Sequence, residues 1–283
     1  MIDGHAHLFH PKVIGNVQKR AELVQRIRLN TEDADQRNGT APLEASLNKN
    51  KIRACLLLPT APAHDVGRVN DALYETLCGS NLLYPAGTLH PDYNANRAEL
   101  LKFRSRNIKG IKLCSFSQRF ALDASATLDM FKLIQTMNIE ENSGFFVVLD
   151  TLSSAHHFFG SQPEHTTTPK LLGKLVRHFS GITFIAAHMG GLAASYNDIT
   201  THLPPSKNLF LDTSNAAHVL TAPQFISLLE RHGPEHVVFG TDWPWFIHDK
   251  EIDTISHLLE QAGFDAHQQK LVFSANMSGL MGI

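Results

Sequence analysis

The segment FFVVLD at residues 145–150 is the clearest indication of the fold class, because it is a continuously apolar run that ends in a carboxylate. A run of this kind, without polar alternation, is typical of a parallel strand covered on both faces. The pattern recurs in TFIAAH at 183–188 and in HVVFGTD at 236–242. Asp150, His188 and Asp242 therefore follow apolar strands closely. The sequence predicts an α/β fold in which polar groups collect at the carboxyl ends of parallel strands.

Eight strand candidates recur along the chain and alternate with amphipathic helical patterns such as those at 65–77 and 170–179. The candidates are residues 1–5, 54–58, 83–88, 108–113, 145–149, 183–187, 209–212 and 237–240. Eight alternations favour a TIM (β/α)8 barrel over a doubly wound sheet, although the periodicity alone is compatible with both. The length of 283 residues suits one barrel domain spanning residues 1–283.

An insertion is predicted after the first strand, because residues 8–50 exceed what one βα connection needs. The polar stretch 29–42, LNTEDADQRNGTAP, has the composition of a loop. We place this insertion across the top of the barrel. A lid and a floppy surface loop are both open interpretations.

Composition excludes several classes of protein. A formal net charge of -2 without a dense basic run argues against nucleic-acid binding. The absence of a signal-like start and of a long apolar run predicts a cytoplasmic protein that does not associate with membranes. Three cysteines without a CxxC pair predict free thiols. Neither a GxSxG elbow nor a phosphate-binding glycine loop is present, which argues against serine hydrolases and nucleotide-binding proteins.

The motif Asp3-Gly4-His5-Ala6-His7 carries the strongest chemical signal. Residues two apart on a strand point to the same face, so His5 and His7 can aim two imidazoles at one point, which is a metal-ligand geometry. Asp3 shares their face and fits a supporting or structural role.

Asp150, His188 and Asp242 stand at equivalent places after three other strands. Barrel active sites are built at these carboxyl ends, so we expect the three side chains to meet the two histidines over one centre. Each of these residues, taken alone, also has a purely structural interpretation. His188 could cap the following turn or helix, and Asp242 could serve merely to initiate a turn.

The sequence at this point resembles the amidohydrolase superfamily, in particular its amidohydrolase-related branch of metal-dependent barrel hydrolases and nonoxidative decarboxylases. The resemblance runs nearly end to end. It rests on IDGHAHLF at 2–9, KGIKL at 109–113, FIAAHMGG at 184–191, NLFLDTS at 208–214, VVFGTDWPW at 237–245 and SANMSGLMGI at 274–283.

The resemblance implies a divalent metal, Zn²⁺ with Mn²⁺ or Fe²⁺ as alternatives, held by His5, His7 and Asp242. It implies a further ligand from the fifth strand, with His188 beside it. Here the chain departs from the family, because Asp150 stands where a histidine is usual. A carboxylate can also bind these metals, so Asp150 is a candidate ligand. A weak or metal-free site remains the alternative.

The function that follows is metal-dependent hydrolysis of a small ester, lactone or amide by a metal-activated water. Asp242 would move the proton and His188 would polarise the substrate carbonyl. Lys112 and Trp243 are candidate substrate contacts; Lys112 as a carbamylated bridge between two metals is the less simple interpretation. The alternatives are a nonoxidative decarboxylase of an aromatic or unsaturated acid, a metal-free lactonase-like enzyme and a catalytically silent barrel. The expected partner is a small molecule, and a homodimer stays open.

Overall fold

A computed structural model describes residues 1–283, and its strands agree closely with the eight predicted ones. The strands are β1 Ile2–Ala6, β2 Ala54–Leu57, β3 Leu83–Pro85, β4 Gly87–Thr88, β5 Gly110–Leu113, β6 Phe146–Leu149, β7 Thr183–Ala186, β8 Leu209–Asp212 and β9 Val237–Val238. The predicted strand at 83–88 is divided at Ala86 into β3 and β4. The predicted strand at 237–240 keeps regular pairing over its first two residues only.

All strand pairs are parallel, in the order β1-β2-β3 and β4-β5-β6-β7-β8-β9. The amide of Ala86 donates to the Leu57 carbonyl at 2.9 Å, which keeps the chain on β2 between the two halves of the divided strand. Gly4 N donates to the Phe239 carbonyl at 2.9 Å and Asp242 N to the His5 carbonyl at 2.8 Å. These hydrogen bonds join the first strand to the last, as barrel closure requires.

Helices connect the strands and surround them. They are α1 Pro11–Gln18, α2 Ala21–Arg26, α3 Ala34–Arg37, α4 Thr40–Lys49, α5 Val66–Leu77, α6 Asn96–Ser105, α7 Ser115–Gln118, α8 Ser125–Glu141, α9 Ala155–Phe159, α10 Pro169–His178, α11 Tyr196–His202, α12 Ala216–Val219, α13 Ala222–His232, α14 His248–Gln261, α15 Ala266–Lys270 and α16 Asn276–Met281. None of them combines the length and the apolar character that crossing a membrane would require.

The continuous apolar strands are explained by two hydrophobic clusters on opposite sides of the sheet. Val147 and Leu149 of β6 belong to the large cluster that includes residues of the outer helices. Phe146 and Val148, which alternate with them, belong to a smaller cluster with residues of the other strands. Since successive strand residues face opposite sides, both faces of β6 must be apolar.

The insertion between β1 and β2 is more ordered than its composition predicts. The stretch 29–42, expected to be a loop, contains α3 and the start of α4. Ile14, Leu23 and Ile27 from the insertion pack in one buried cluster with Leu152 and Trp245 from two barrel loops. These buried side chains come before the stretch 29–42, so the polar composition of that stretch does not reveal them. The insertion forms a packed wall at the carboxyl-terminal mouth of the barrel.

Candidate metal centre

The structure brings the two histidines of the first motif together at the end of β1. His5 is fully buried and His7 is 8% exposed. Their Nε2 atoms lie 3.1 Å apart. This spacing follows from the alternation of a strand, which turns residues two apart to the same face.

The hydrogen bonds of the other ring nitrogens fix which atoms carry lone pairs. His5 Nδ1 donates to Asp212 Oδ2 at 2.7 Å, and His7 Nδ1 donates to the Leu58 carbonyl at 2.8 Å. A neutral imidazole protonated at Nδ1 has its lone pair on Nε2. The two Nε2 lone pairs therefore face each other, an arrangement that a cation between them would stabilise.

Asp242 completes the group from the loop after β9. Its Oδ1 lies 3.5 Å from His7 Nε2 and 3.9 Å from His5 Nε2. The backbone at Asp242 is left-handed, with φ of 62°, and turns sharply at the end of the strand. Gly240 lets the chain after β9 pass close to β1, because a Cβ at this position would stand 2.7 Å from the Cβ of His5. The donor atoms of His5, His7 and Asp242 all lie within 4.8 Å of one another.

These three donors fit a divalent metal in both number and chemistry. Two imidazole nitrogens and one carboxylate oxygen are the ligand set of many catalytic zinc sites, which keep a further position open. Atoms at the observed separations share a point about 2 Å from each, which is the usual bond length from Zn²⁺ to nitrogen or oxygen. Two imidazoles already turned toward one point also require little rearrangement.

Asp150 is not one of these three donors and belongs to a neighbouring group. Its Oδ2 is 3.8 Å from His188 Nε2 and 4.0 Å from Lys112 Nζ. Lys112, on β5, is 1% exposed, and its Nζ is 3.5 Å from His5 Nε2. The carboxylate thus stands between two basic side chains, outside the group of His5, His7 and Asp242. We name Lys112, Asp150 and His188 the charge cluster.

Burial and neighbouring charges shift the pKa values of the three donors His5, His7 and Asp242. Burial and the charge of Lys112 lower the pKa of His5 to about 4, and burial with the charge of His5 lowers the pKa of His7 well below its usual value. Burial raises the pKa of Asp242 to about 7, although the positive His188 and Lys112 oppose this shift. The two histidines are therefore neutral at pH 7 and available as ligands.

The charge cluster shows the opposite pattern. Burial alone would lower the pKa of His188, but interactions with Asp150 and with the charge of Asp242 outweigh it and raise the pKa to about 9. Burial alone would raise the pKa of Asp150, but His188 and Lys112 outweigh it and hold this pKa well below the usual range. At neutral pH His188 is therefore an imidazolium beside a carboxylate.

Asp212, at the end of β8, supports both groups and was not predicted as a site residue. Besides binding His5, its Oδ1 accepts a hydrogen bond of 2.8 Å from the backbone of His188. The hydroxyl of Ser214 also donates to Asp212. The available signal was a carboxylate directly after the apolar run LFL, the same pattern that marks Asp150. A carboxylate behind a ligand histidine fixes its tautomer and orientation.

Asp3 holds the backbone of the site and does not join the donor group. Its carboxylate accepts hydrogen bonds from the Thr241 hydroxyl at 2.6 Å, the Thr241 amide at 3.1 Å and the His5 amide at 2.9 Å. His248 Nε2 lies 3.0 Å from Asp3, and His248 Nδ1 lies 2.8 Å from the hydroxyl of Ser46 on α4. These contacts tie β1 to the loop after β9 and to the insertion.

A cavity of about 320 Å³ opens above the donors and has space for a small molecule. Site residues at its floor are His7, Lys112, Asp150, His188 and Asp242. Aromatic residues at its walls are Phe9, Phe116, Phe159 and Trp245. The insertion contributes Val13, Asn16, Val17, Arg20, Leu23, Ile27 and Leu29.

Trp243 does not line this cavity, contrary to its expected role as a substrate contact. Its ring is 2% exposed, packs in a core cluster with Leu43 and Leu47 of α4, and stacks on His248 at 5.1 Å between ring centroids. Trp245, two residues later, faces the cavity. The sequence could not distinguish the two tryptophans, because their directions depend on how the loop after β9 turns.

The comparisons with known proteins agree with this architecture. The family model for amidohydrolases matches residues 142–276. This match supports the resemblance over the motifs at 184–191, 208–214 and 237–245, whereas the motifs at 2–9 and 109–113 lie outside the matched residues. No curated protein matches the chain in sequence.

Solved structures confirm the predicted barrel fold. A TIM-barrel protein from Bordetella bronchiseptica is 13% identical with a TM-score of 0.71, over 100% of this chain and 99% of that chain. A dihydroxybenzoic acid decarboxylase from Polaromonas sp. JS666, with bound manganese and the inhibitor 2-nitroresorcinol, is 16% identical with a TM-score of 0.71, over 99% and 96%. An amidohydrolase from Burkholderia multivorans with bound zinc is 12% identical with a TM-score of 0.69, over 100% and 99%.

Proposed function

We propose that this chain, which is similar to the amidohydrolases, is a metal-dependent hydrolase that cleaves a small ester, lactone or amide. One observation carries the proposal: the Nε2 lone pairs of His5 and His7 face each other at 3.1 Å beside a carboxylate oxygen of Asp242. Solved proteins of this fold that hold zinc or manganese support a divalent ion here, and zinc is our choice. A divalent ion bound by these residues supplies Lewis acidity at the cavity floor.

Asp242 is the proposed general base and acid. Its carboxyl lines the cavity, and burial raises its pKa to about 7 in the metal-free site. A carboxylate in this position can accept a proton from an attacking water and return it to the leaving group. Its left-handed backbone directs the side chain into the cavity floor, while the amide donates to the His5 carbonyl and fixes the turn.

His188 is the proposed electrostatic catalyst. Its Nδ1 lies 2.9 Å from the carbonyl of Ser214 and donates to it, so that Nε2 is directed toward the cavity side of the cluster. With a pKa of about 9, the ring is an imidazolium at neutral pH. A positive ring at the cavity floor stabilises negative charge that develops on a carbonyl oxygen of the substrate. Asp150 orients and charges this ring, which is a positioning role in place of metal ligation.

A nonoxidative decarboxylase is the second candidate, because two basic side chains, Lys112 and His188, stand at the floor of an aromatic-walled cavity. This arrangement suits a substrate whose reacting group is a carboxylate. A decarboxylase is also among the proteins of similar fold. Release of carbon dioxide from an aromatic acid, without cleavage of esters, lactones or amides, would decide for this candidate.

The test is a panel of small esters, lactones, amides and aromatic acids, assayed with the zinc-loaded chain and its Asp242→Asn variant. We expect hydrolysis by the parent chain and loss of turnover in Asp242→Asn, with the metal analysed in both by elemental analysis. Asp129→Asn, at an exposed residue of α8, is the matched control and should keep full activity. Turnover that survives in Asp242→Asn would refute the assigned role.

A further inference from the structure

Lys112 is a buried ammonium group without a good hydrogen-bond acceptor. Its side chain is 1% exposed and lines the cavity. Nζ lies 3.5 Å from His5 Nε2 and 4.0 Å from Asp150 Oδ2, both long for hydrogen bonds. An ammonium has three donors, and a buried charge is stable only when it is paired and hydrogen-bonded. Because Lys112 lines the cavity, a ligand that enters the cavity can supply the missing acceptor.

Metal binding would leave Lys112 with even fewer hydrogen-bond acceptors. His5 Nε2, the closest acceptor to Lys112, is also the nitrogen whose lone pair faces the metal position, because Asp212 occupies Nδ1. A metal ion on Nε2 takes this acceptor away from Lys112 and places a second positive charge beside it. Like charges at such distances in a buried site repel strongly.

The buried carboxylates do not balance the site once a divalent ion is bound. Lys112, His188 and the ion carry four positive charges, whereas Asp150, Asp212 and Asp242 carry three negative ones. Asp150 is shared between Lys112 and His188, so one carboxylate faces two basic groups. The other carboxylate at the cavity floor, Asp242, belongs to the donors of the metal site. Arg20 and Arg119 on the walls add only further positive charge. An anion in the cavity can compensate the remaining positive charge.

We infer that Lys112 is a subsite for the carboxylate of a small anionic ligand, and that this ligand and the metal ion strengthen each other's binding. The inference rests on the proposed metal site at His5, His7 and Asp242. The carboxylate accepts hydrogen bonds from Nζ and screens it from the metal. Without the anion, the ammonium weakens the affinity for metal. The aromatic wall of Phe9, Phe116, Phe159 and Trp245 favours a planar anion.

The probe pair is benzoate and its neutral isostere benzamide, added to the full chain after removal of metal. The dissociation constant for Zn²⁺ is measured by competition with a chromophoric chelator. We expect saturating benzoate to tighten Zn²⁺ binding about tenfold, a usual size for coupling between two sites, and benzamide to have little effect. Because linkage is reciprocal, Zn²⁺ should tighten benzoate binding by the same factor.

Variants of Lys112 assign the coupling to its charge. Lys112→Met keeps the length and apolar stem of the side chain; we expect tighter Zn²⁺ binding without benzoate and no further effect of benzoate. Lys112→Gln keeps a polar end and provides a second variant without charge. The matched control is Lys109→Met, next to the same strand, whose Nζ donates to the Ser143 carbonyl at 2.7 Å. Circular dichroism verifies that each variant is folded.

The outcomes separate this inference from the proposed function. If Zn²⁺ binds the parent chain and benzoate leaves its affinity unchanged, the inference is wrong and the metal site stands. A benzoate effect that persists in both Lys112 variants assigns the anion to the metal alone and also overturns it. If Zn²⁺ does not bind, or binds equally well after His7→Ala, the metal site itself fails and the coupling fails with it.

Discussion

Two groups of basic and acidic side chains stand at the mouth of this barrel, and they differ in what their charges do. The donor group of His5, His7 and Asp242 contains two imidazoles that burial keeps neutral. The charge cluster of Lys112, Asp150 and His188 contains an imidazolium, a lysine and an ionised carboxylate. Similar residue types thus offer free nitrogen lone pairs in the donor group and carry positive charge in the charge cluster.

The difference comes from the partners of each ring. His7 has a backbone carbonyl behind it and His5 has a carboxylate, so both rings direct Nε2 at the cavity side. His188 also has a carbonyl behind it, but its Nε2 faces Asp150. Asp150 therefore faces two basic side chains, whereas Asp242 faces the two Nε2 lone pairs. This comparison argues against Asp150 as a ligand, and the following predictions test it.

The largest effect is expected for His7→Ala. Removing one of three donors leaves two, which do not hold a divalent ion firmly. We expect the metal content to fall from about one ion per chain to near none, with loss of turnover. Elemental analysis after gel filtration measures this. Bound metal at full stoichiometry in the variant would place the metal site elsewhere.

Asp150→Asn is expected to lower kcat by about 100-fold while the metal content stays unchanged. The amide cannot hold His188 as an imidazolium, and loss of one group that stabilises developing negative charge costs about 10²- to 10³-fold. Steady-state kinetics and elemental analysis on the same preparation test both parts. Loss of metal from this variant would make Asp150 a ligand and break the distinction between the two groups.

Asp212→Asn is expected to weaken metal binding by about 10- to 100-fold, the usual cost of removing a carboxylate behind a ligand histidine. The amide side chain can still contact His5 Nδ1, but it no longer favours the tautomer with the lone pair on Nε2. Zn²⁺ competition titrations measure the change. Asp198→Asn, at an exposed position on α11, is the matched control and should bind Zn²⁺ as the parent chain does.

The pH dependence of metal binding should report Asp242. Its pKa is raised to about 7, so below that pH a proton competes with the metal and the affinity for Zn²⁺ should fall by about tenfold per pH unit. Above pH 7 the affinity should level off, because His5, with a pKa of about 4, is already neutral. Competition titrations across this range measure the slope. Asp242→Asn should remove the slope along with most of the affinity.

The smallest effect distinguishes the two tryptophans. Trp243→Phe should lower the free energy of unfolding by about 1 kcal/mol and leave KM unchanged, because its ring packs in the core and its Nε1 has no partner to lose. Trp245→Phe should instead change KM, because this ring lines the cavity. Thermal unfolding and steady-state kinetics compare the pair. A KM change confined to Trp243→Phe would restore the role expected from the sequence.

Local patterns were enough to predict the strands and the donors, since both depend on neighbours in the sequence. The apolar runs specify buried parallel strands, and the spacing of two between His5 and His7 specifies a shared direction. The helices within 29–42 were missed because their polar sequence gives no signal, and their order depends on the packing of the insertion over the barrel mouth.

By itself the sequence determined the series of buried parallel strands, the position of each polar group at a strand end, and the residue types that a metal centre needs. Only the tertiary structure decided which groups share a charge, that Asp212 stands behind His5, and which tryptophan faces the cavity. The physical reason is that electrostatic partners lie on different strands. Asp150 is 38 residues from both Lys112 and His188, and the fold alone sets the distances that turn a potential ligand into a counterion.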